Sequence, residues 1–433
     1  RRMTTKKGDL PSLKNDLQSS AVSSEGRQLM STPLEGLRVI ELAHVMAGPI
    51  CGLFLGDLGA DVIKVERLPG GDTTRHFSPP EIEGESAAFM MLNRGKRGVA
   101  LDLRTEEGRA VVRQMVSSAD VVIENFRAGT MERMGLGYED LAVLNERLIY
   151  CQVTGFGRTG PLSSQGGFDL IAQGYSGLMS VTGEGPGREP VKVGAPLTDI
   201  TAGILASFGV VCAVLERERT GQGQRVDTSL YEAGITQTYW QSAIALATGV
   251  SPAPLGSAHP MAAPYQAFQT KNGWINVGAS NEGTWTRFTE ALDLKELSSD
   301  DRFVTNTDRM ANLTDLVEIL GRHFREHTTE HWLTVLEDVG VPAGPVASVG
   351  EMLEHPQTEA RRMVVDVEHT TAGFVRSLGI PVKLSGSGDG HGPSEPRVGA
   401  PLLGEHTRSV LQEFGYSKAE IDQMIDTAVA HES

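Results

Sequence analysis

The sequence predicts an α/β fold, a parallel sheet covered by helices on both faces. Three observations predict it. From residue 37 onward, β-rich apolar runs alternate with helical segments, the pattern of parallel strands joined by crossover helices. The runs at 119–124 and 148–154 are apolar, as strands of such a sheet must be. The length of 433 residues gives material for two or three domains and a sizeable core.

In chain order, 37–42 is the first expected strand. A helix follows to residue 58, with Pro49 in its first turn. Strands are expected at 61–66 and 98–103. Thr105, Glu106 and Glu107 open the next helix, with acids where the helix dipole favours them. After the strands at 119–124 and 148–154, a β-like segment at 190–194 leads into the long apolar run 200–215. At about sixteen uncharged residues this run falls short of a membrane span and reads as a fully buried helix. A strand is expected at 225–230. A Pro-, Ala-, Gly- and Ser-rich stretch at 248–264 reads as a linker or active-site loop. Asn272-Gly273 marks a hairpin between strands at 265–270 and 274–278. Helices are expected near 284–292, 312–326, 330–339, 405–414 and 418–425. These elements divide the chain into a polar tail or leader (1–33), a discontinuous large domain (34–224 and 331–433) and a small α+β domain (225–330).

The net charge of −16 argues against nucleic acid and against an anionic membrane surface as partners. Cys51, Cys151 and Cys212 are far apart in apolar surroundings and read as core thiols of a reducing compartment. Residues 1–33 lack the apolar core of a secretory signal. The expected location is the cytoplasm, or the mitochondrial matrix if that segment is a leader.

One stretch, 193–203, concentrates the chemistry. Thr198 or Asp199 sits where the N-cap of the long helix would be. A carboxylate there would face the positive end of a helix dipole and unpaired backbone N–H groups, which would keep it ionised as a nucleophile must be. A plain helix cap is the other reading. Basic residues gather at strand ends: Lys64, Arg67, Arg75, Arg94, Lys96, Arg97, Arg104, Arg127 and Arg133. In an acidic chain these suggest a phosphate-bearing ligand, with solvated surface charge as the alternative. Gly155, Gly157 and Gly160 match a dinucleotide fingerprint, but Pro161 follows at once and leaves no helix to receive a pyrophosphate. His323, His327 and His331 have helical ligand spacing, yet Thr328 and Thr329 interrupt them, so they read as a solvated helix end rather than a metal site.

Taken together, several short segments resemble one family. They are 47–49 with 59–67 (Gly-Ala-Asp-Val-Ile-Lys-Val-Glu-Arg), 93–97, 124–126 (Glu-Asn-Phe), 167–169 (Gly-Phe-Asp), the Asp199 stretch, 220–224, and 401–406 (Pro-Leu-Leu-Gly-Glu-His). The chain is similar over about residues 34–427 to the class III coenzyme A transferases of CaiB/BaiF type, which act on formyl-CoA, carnitine and succinyl-CoA substrates. The resemblance implies a Rossmann-like large domain, a small domain between its halves, and two chains interlocked as a homodimer. It implies that Asp199 attacks an acyl-CoA thioester, passing through an aspartyl anhydride and an aspartyl-CoA thioester, with no metal or tightly bound cofactor. Coenzyme A contacts would fall on Met46, Ala47, Arg67, Leu101, Arg104, Asn125, Phe126, Arg127 and Arg133. Asp169 would lie beside the thioester as a second catalytic acid, or serve only as a helix-start residue.

Two departures from the formyl-CoA pattern stand out. Gly166 replaces a lysine, and 256–260 (Gly-Ser-Ala-His-Pro) replaces a glycine-run loop. That loop, with 264–268, is more similar to the branch that uses succinyl-CoA and dicarboxylate acceptors. There His259 could meet a distal carboxylate, or be a loop histidine without a ligand. The rival readings are an acyl-CoA racemase, disfavoured because Phe168 occupies the position of its proton-moving histidine, a CoA-ester hydrolase on the same fold, and a non-catalytic CoA-ester-binding protein.

Overall fold

The computed structural model describes residues 32–384, 396 and 398–433; most of the expected N-terminal tail lies outside the described residues. Six parallel strands form its centre: β1 (Arg38–Glu41), β2 (Asp61–Arg67), β3 (Arg97–Leu101), β4 (Val121–Glu124), β5 (Ile149–Thr154) and β6 (Arg225–Ser229). They lie in the order β3-β2-β1-β4-β5-β6. The chain therefore starts in the middle of the sheet, builds one half outward, then returns to build the other. The crevice beyond the carboxyl ends of β1 and β4, where the direction reverses, is where such sheets bind ligands.

Helices α1 (Ala47–Asp57), α2 (Ala87–Asn93), α3 (Glu106–Val116), α4 (Asp169–Tyr175), α5 (Leu197–Thr220), α6 (Leu230–Thr236) and α7 (Tyr239–Thr248) belong to this half of the fold. Alternate strand residues feed two cores, because successive side chains point to opposite faces. Ile40, Ile63, Val99 and Val122 pack against Val111, Val112 and Met115 of α3. Val39, Val62, Val121 and Ile149 pack against Cys51 and Leu55 of α1 and Ala202, Ala206 and Val210 of α5. Thr105 caps α3 by accepting a hydrogen bond from Gly108 N.

A second unit holds the antiparallel hairpin β7 (Tyr265–Gln269) and β8 (Trp274–Gly278), helices α8 (Glu282–Ala291), α9 (Leu313–Phe324) and α10 (Thr329–Asp338), and the edge strand β9 (Ala343–Pro345). Its core is aromatic: Phe268, Trp285, Phe288, Phe324 and Trp332. The expected domain boundaries do not follow these cores. Residues 225–229 are β6, paired to β5 in the large sheet. The boundary at 330 falls inside α10, whose Trp332 and Leu336 complete the smaller core. The hairpin β10 (Val364–His369) and β11 (Gly373–Leu378) covers Phe89 and Met90 of α2. Helices α11 (Thr407–Glu413) and α12 (Lys418–Asp426) return to the large sheet, and β12 (Ala430–His431) closes its edge antiparallel to β3.

Three expectations need correction. The segment 190–194 is not a strand. The long helix is buried on one face only: Ala202, Ala206 and Val210 are inside, while Ile204, Phe208 and Leu215 are exposed. Although α5 is long and apolar enough to cross a membrane, that inner face is committed to α1 and the sheet. Cys212 lies on its outer face and is exposed, unlike buried Cys51 and Cys151.

Candidate active site

At the crevice between β1 and β4 lies a cavity of about 370 Å³. Three groups of residues form it. Residues 44–47 lead from β1 into α1, residues 125–128 follow β4, and the crossing of Gly155 with residues 166–168 forms the far wall. Asp199 enters from the first turn of α5.

Backbone close approach sets this shape. A Cβ on Gly203 would stand 2.7 Å from the Ala47 carbonyl oxygen and 2.6 Å from Ile50 Cγ2, so glycine lets α5 meet the start of α1. Asp199, one turn earlier, is thereby directed toward Met46 and Ala47. Gly155 and Gly167 approach in the same way: a Cβ on Gly155 would lie 2.7 Å from Gly167 Cα.

Asp199 is the third residue of α5, after Leu197 and Thr198; the cap position belongs to Pro196, which makes no side-chain cap. No hydrogen bond to the Asp199 carboxylate occurs among the described residues. Burial, and next the charge of Asp169, push its pKa up from 3.8 to about 7. The expectation that the helix end keeps it fully ionised is therefore not met: near neutral pH the carboxyl is part-ionised. Burial and a like charge outweigh the dipole when no donor reaches the carboxylate.

Asp169 opens α4 but does not line the cavity. Its Oδ1 accepts from Thr198 N (3.0 Å) and Thr198 Oγ1 (2.8 Å), and its Oδ2 accepts from Gln173 Nε2 (2.8 Å). Gln173 is fully buried, and its Oε1 accepts from Val193 N (2.8 Å). Asp169 thus fastens α4 to the first turn of α5 and acts on Asp199 through its charge. Neither Thr198 nor Gln173 stood out as a site residue in the sequence. Only the fold brings 169, 173, 193 and 198 together.

Among the expected contact residues, Met46, Ala47, Asn125, Phe126 and Arg127 line the cavity together with Asp199. The Asn125 amide is occupied: Oδ1 accepts from His44 N (2.9 Å) and Nδ2 donates to His44 O (2.8 Å). Asn125 therefore ties the two loops together, and the Phe126 ring stacks on His44 at 5.3 Å. Leu101 is fully buried in the sheet core, so its side chain is not available to a ligand. Arg67, Arg104 and Arg133 are exposed and lie outside the cavity lining. Arg67 Nε donates to Gly71 O (3.3 Å), Arg104 pairs with Asp102 (2.7 Å), and Arg133 donates to Thr130 Oγ1 (3.1 Å). His259 also lies outside it. Within one chain its ring packs edge-on to Trp240 and Tyr265, and its Nδ1 accepts from Met261 N.

Most of the strand-end cations are not free to meet phosphate. Lys64 bridges Glu41 (3.0 Å) and Asp72 (2.9 Å), and Lys96 reaches the other Glu41 oxygen (2.8 Å), all fully or nearly fully buried. Arg75 pairs with Glu66, Arg94 with Asp57, and Arg97 with Asp61 and Glu413. Buried cations need such partners; Asp72 and Glu66 are fewer than ten residues from Lys64 and Arg75, whereas Glu41, Asp57, Asp61 and Glu413 come from other elements. The network also builds the cavity floor. Asp72 accepts from Val45 N (3.1 Å), while Lys64 donates to Ala43 O (2.9 Å). These bonds hold Val45 at φ +65°, a costly conformation for a β-branched residue. Burial pushes the Lys96 ammonium down to about 8, aided by the Lys64 charge and opposed by Glu41.

The glycine fingerprint at 155–160 binds no helix: β5 ends at Thr154 and α4 begins only at Asp169. His327 and His331 stack on each other at 4.1 Å beside Trp332, and His323 packs on the same indole. Among the described residues no group of three or more His, Cys, Asp or Glu is placed to hold a metal.

Comparison with known proteins agrees with this architecture. A family model described as CoA-transferase family III matches residues 34–407. The chain belongs to CoA-transferase family III. It is 40% identical over 388 residues to the succinate–glutarate CoA-transferase of Agrobacterium fabrum, covering 88% of this chain and 96% of that one. It is 37% identical over 398 residues to the succinyl-CoA:glutarate CoA-transferase of Mus musculus, covering 92% and 90%. The crystal structure of a CaiB/BaiF family protein from Brucella suis superposes with a TM-score of 0.78 at 40% identity, covering 89% of this chain and all of that one. This family III enzyme is thus a CoA-transferase of mixed α/β fold, with CoA thioesters as substrates.

Proposed function

We propose that this enzyme moves coenzyme A from succinyl-CoA to a dicarboxylic acid, with Asp199 as covalent nucleophile. The observation that carries the reading is the position of Asp199: a carboxylate with no hydrogen-bond partner among the described residues, in a cavity at the switch point of a Rossmann-ordered sheet. The named activities of the glutarate-using relatives support the substrate class.

The steps follow from carboxylate chemistry. An Asp199 oxygen attacks the thioester carbonyl of the donor, the C–S bond breaks, and a mixed anhydride and CoA thiolate result. The thiolate attacks the Asp199 carbonyl of the anhydride, releasing the donor acid and leaving an aspartyl-CoA thioester. The acceptor carboxylate attacks that thioester, giving a new anhydride and thiolate. Attack of the thiolate on the acceptor carbonyl then yields the new acyl-CoA and free Asp199. The anhydride preserves the energy of the thioester. Met46, Ala47 and Phe126 would line the thioester end, and Arg67, Arg104 and Arg133 remain the candidates for the CoA phosphates. A half-buried carboxylate with no hydrogen-bond partner among the described residues is poorly solvated and therefore a reactive nucleophile once ionised.

The acting form is proposed to be the interlocked homodimer. Exposed apolar residues on α5 (Ile204, Phe208, Leu215) and α7 (Tyr239, Trp240, Leu246) suit burial by a second chain. Light scattering giving a monomer mass would contradict this.

The deciding experiment is mass spectrometry after incubation with succinyl-CoA, with hydroxylamine or borohydride trapping. A modification at Asp199, absent in Asp199→Ala, is the expected result. Succinyl-CoA consumed while Asp199 stays unmodified would overturn the covalent reading.

A further inference from the structure

Four charged side chains meet beneath the turn that leads from β1 into α1. Glu41 ends β1, Lys64 lies within β2, Asp72 follows β2 and Lys96 stands just before β3; all four are buried. Their charges balance, with Lys64 on Glu41 and Asp72, and Lys96 on the second Glu41 oxygen. A buried ionic group of this kind adds little stability over apolar residues of similar volume. What sets it apart is its reach to the backbone. Lys64 Nζ donates to Ala43 O (2.9 Å), Lys96 Nζ donates to Pro49 O (2.9 Å), and the Asp72 carboxylate accepts from Val45 N at 3.1 and 3.3 Å. The turn is thus held on both sides of Met46 and Ala47, which line the cavity with Asp199.

Asp72 holds the strained point. Val45 has φ +65°, and among the described residues it is the one β-branched residue with positive φ. For that side-chain type the conformation is a genuine outlier. Released, Val45 would turn to negative φ and carry Met46 and Ala47 with it. Asp72 is itself anchored: its N donates to Glu66 Oε2 (2.9 Å), and its Oδ1 accepts from Thr74 N and Thr74 Oγ1 (both 2.9 Å). Burial works against its charge, but the Lys64 ammonium and the N–H groups of Thr74 and Val45 hold the carboxyl below the usual carboxylate range. The clamp is therefore ionised at every pH at which Asp199 is.

We infer that Asp72 is a positioning residue for the transfer reaction: through Val45 N it fixes the left-handed turn that sets Met46 and Ala47 against the Asp199 carboxylate. Asp72 is not part of the cavity wall and acts only through Val45. This rests on the proposal that Asp199 is acylated by the donor.

The test is the single-turnover rate of Asp199 acylation at saturating succinyl-CoA, with positions 72 and 45 changed singly and together. Asp72→Asn sets an amide N–H against Lys64 or Val45, donor against donor, and should slow acylation about 10- to 100-fold, the scale of a small misplacement of reacting groups. Glycine adopts positive φ readily. In a Val45→Gly background the same Asp72→Asn change should therefore cost at least about fivefold less in rate. In a Val45→Ala background, which removes the branch but keeps a Cβ, the loss should stay closer to that seen with valine. Asp72→Glu retains a charge beside Lys64 but displaces the carboxylate. It should show the same dependence on residue 45, and it carries the test if Asp72→Asn does not fold. Equal losses with valine, alanine and glycine at position 45 would overturn the inference and leave Asp72 as a partner of Lys64 alone. So would an Asp72→Asn protein that is acylated at the wild-type rate. Either outcome leaves the proposed function standing, whereas a wild type that succinyl-CoA does not acylate sinks both.

Discussion

Replacing Asp169 with asparagine separates its charge from its hydrogen bonds. The Asp199 carboxyl ionises near pH 7 instead of 3.8, a rise of about 3 pH units with two causes, of which burial is the larger. Asp169 therefore accounts for less than half of it, at most about 1.5 pH units. The nucleophile is the ionised form, so kcat/KM of the wild type should rise with pH through an apparent pKa near 7. In Asp169→Asn this acid limb should move down by up to about 1.5 pH units. At pH 6 about a tenth of wild-type Asp199 is ionised, against about three quarters in the variant at that limit, a gain of up to about eightfold in the reactive fraction. At pH 8.5 the charge term vanishes. What remains there is the mismatch of the new Nδ2 facing Gln173 Nε2, donor against donor, with the two Thr198 bonds to Oδ1 intact. That mismatch costs about 1 kcal/mol or more and lowers the plateau without moving the limb. A pH profile of kcat/KM for succinyl-CoA with each protein decides the matter. An acid limb that stays in place would refute the view that Asp169 acts on Asp199 through charge.

Further outcomes follow from the same geometry. Folding raises the pKa of Asp199, so the folded state is penalised as pH rises from about 4 to 7, with the full penalty above 7. Asp199→Asn should therefore stabilise the protein by about 1–4 kcal/mol at pH 8 and by almost nothing at pH 4, read from denaturant midpoints; equal effects at both pH values would contradict it. Gly203→Val should push α5 away from Ala47 and Ile50, costing about 1–3 kcal/mol and lowering kcat together with Tm; a fully active, equally stable variant would show that the close approach is unimportant. Lys64→Met leaves Asp72 without its cation and Glu41 with Lys96 alone, and should cost about 3–5 kcal/mol, measured by urea unfolding. Cys51 and Cys151 should remain protected from a maleimide until the protein unfolds, as mass spectrometry of the labelled protein would reveal; labelling of either in the folded protein would contradict their burial.

Much of this protein is legible in the sequence where the cause is local. Thr105 with Glu106 and Glu107 specifies a helix start, Asn272-Gly273 specifies a hairpin, and Pro161 rules out a pyrophosphate-binding helix; each depends on the conformational preferences of a few adjacent residues. Asp199 could be singled out, because its motif lies within one stretch. What it does at a given pH could not, because burial by α1 and the charge of Asp169 arrive from residues 30 and more positions away. The same holds for the cations. As a list, Lys64, Arg75, Arg94, Lys96, Arg97 and Arg127 are alike, and all suggested a ligand. The fold gives five of them carboxylate partners, one of them hundreds of positions away (Glu413 for Arg97), and leaves Arg127 without an ion pair among the described residues. Strand order, the Gly203 contact, and the domain limits at β6 and α10 were likewise decided only by tertiary structure. Periodicity and turn chemistry act over a few residues and are written in order along the chain. Solvation and charge pairing depend on which groups share a volume, and only the folded chain sets that.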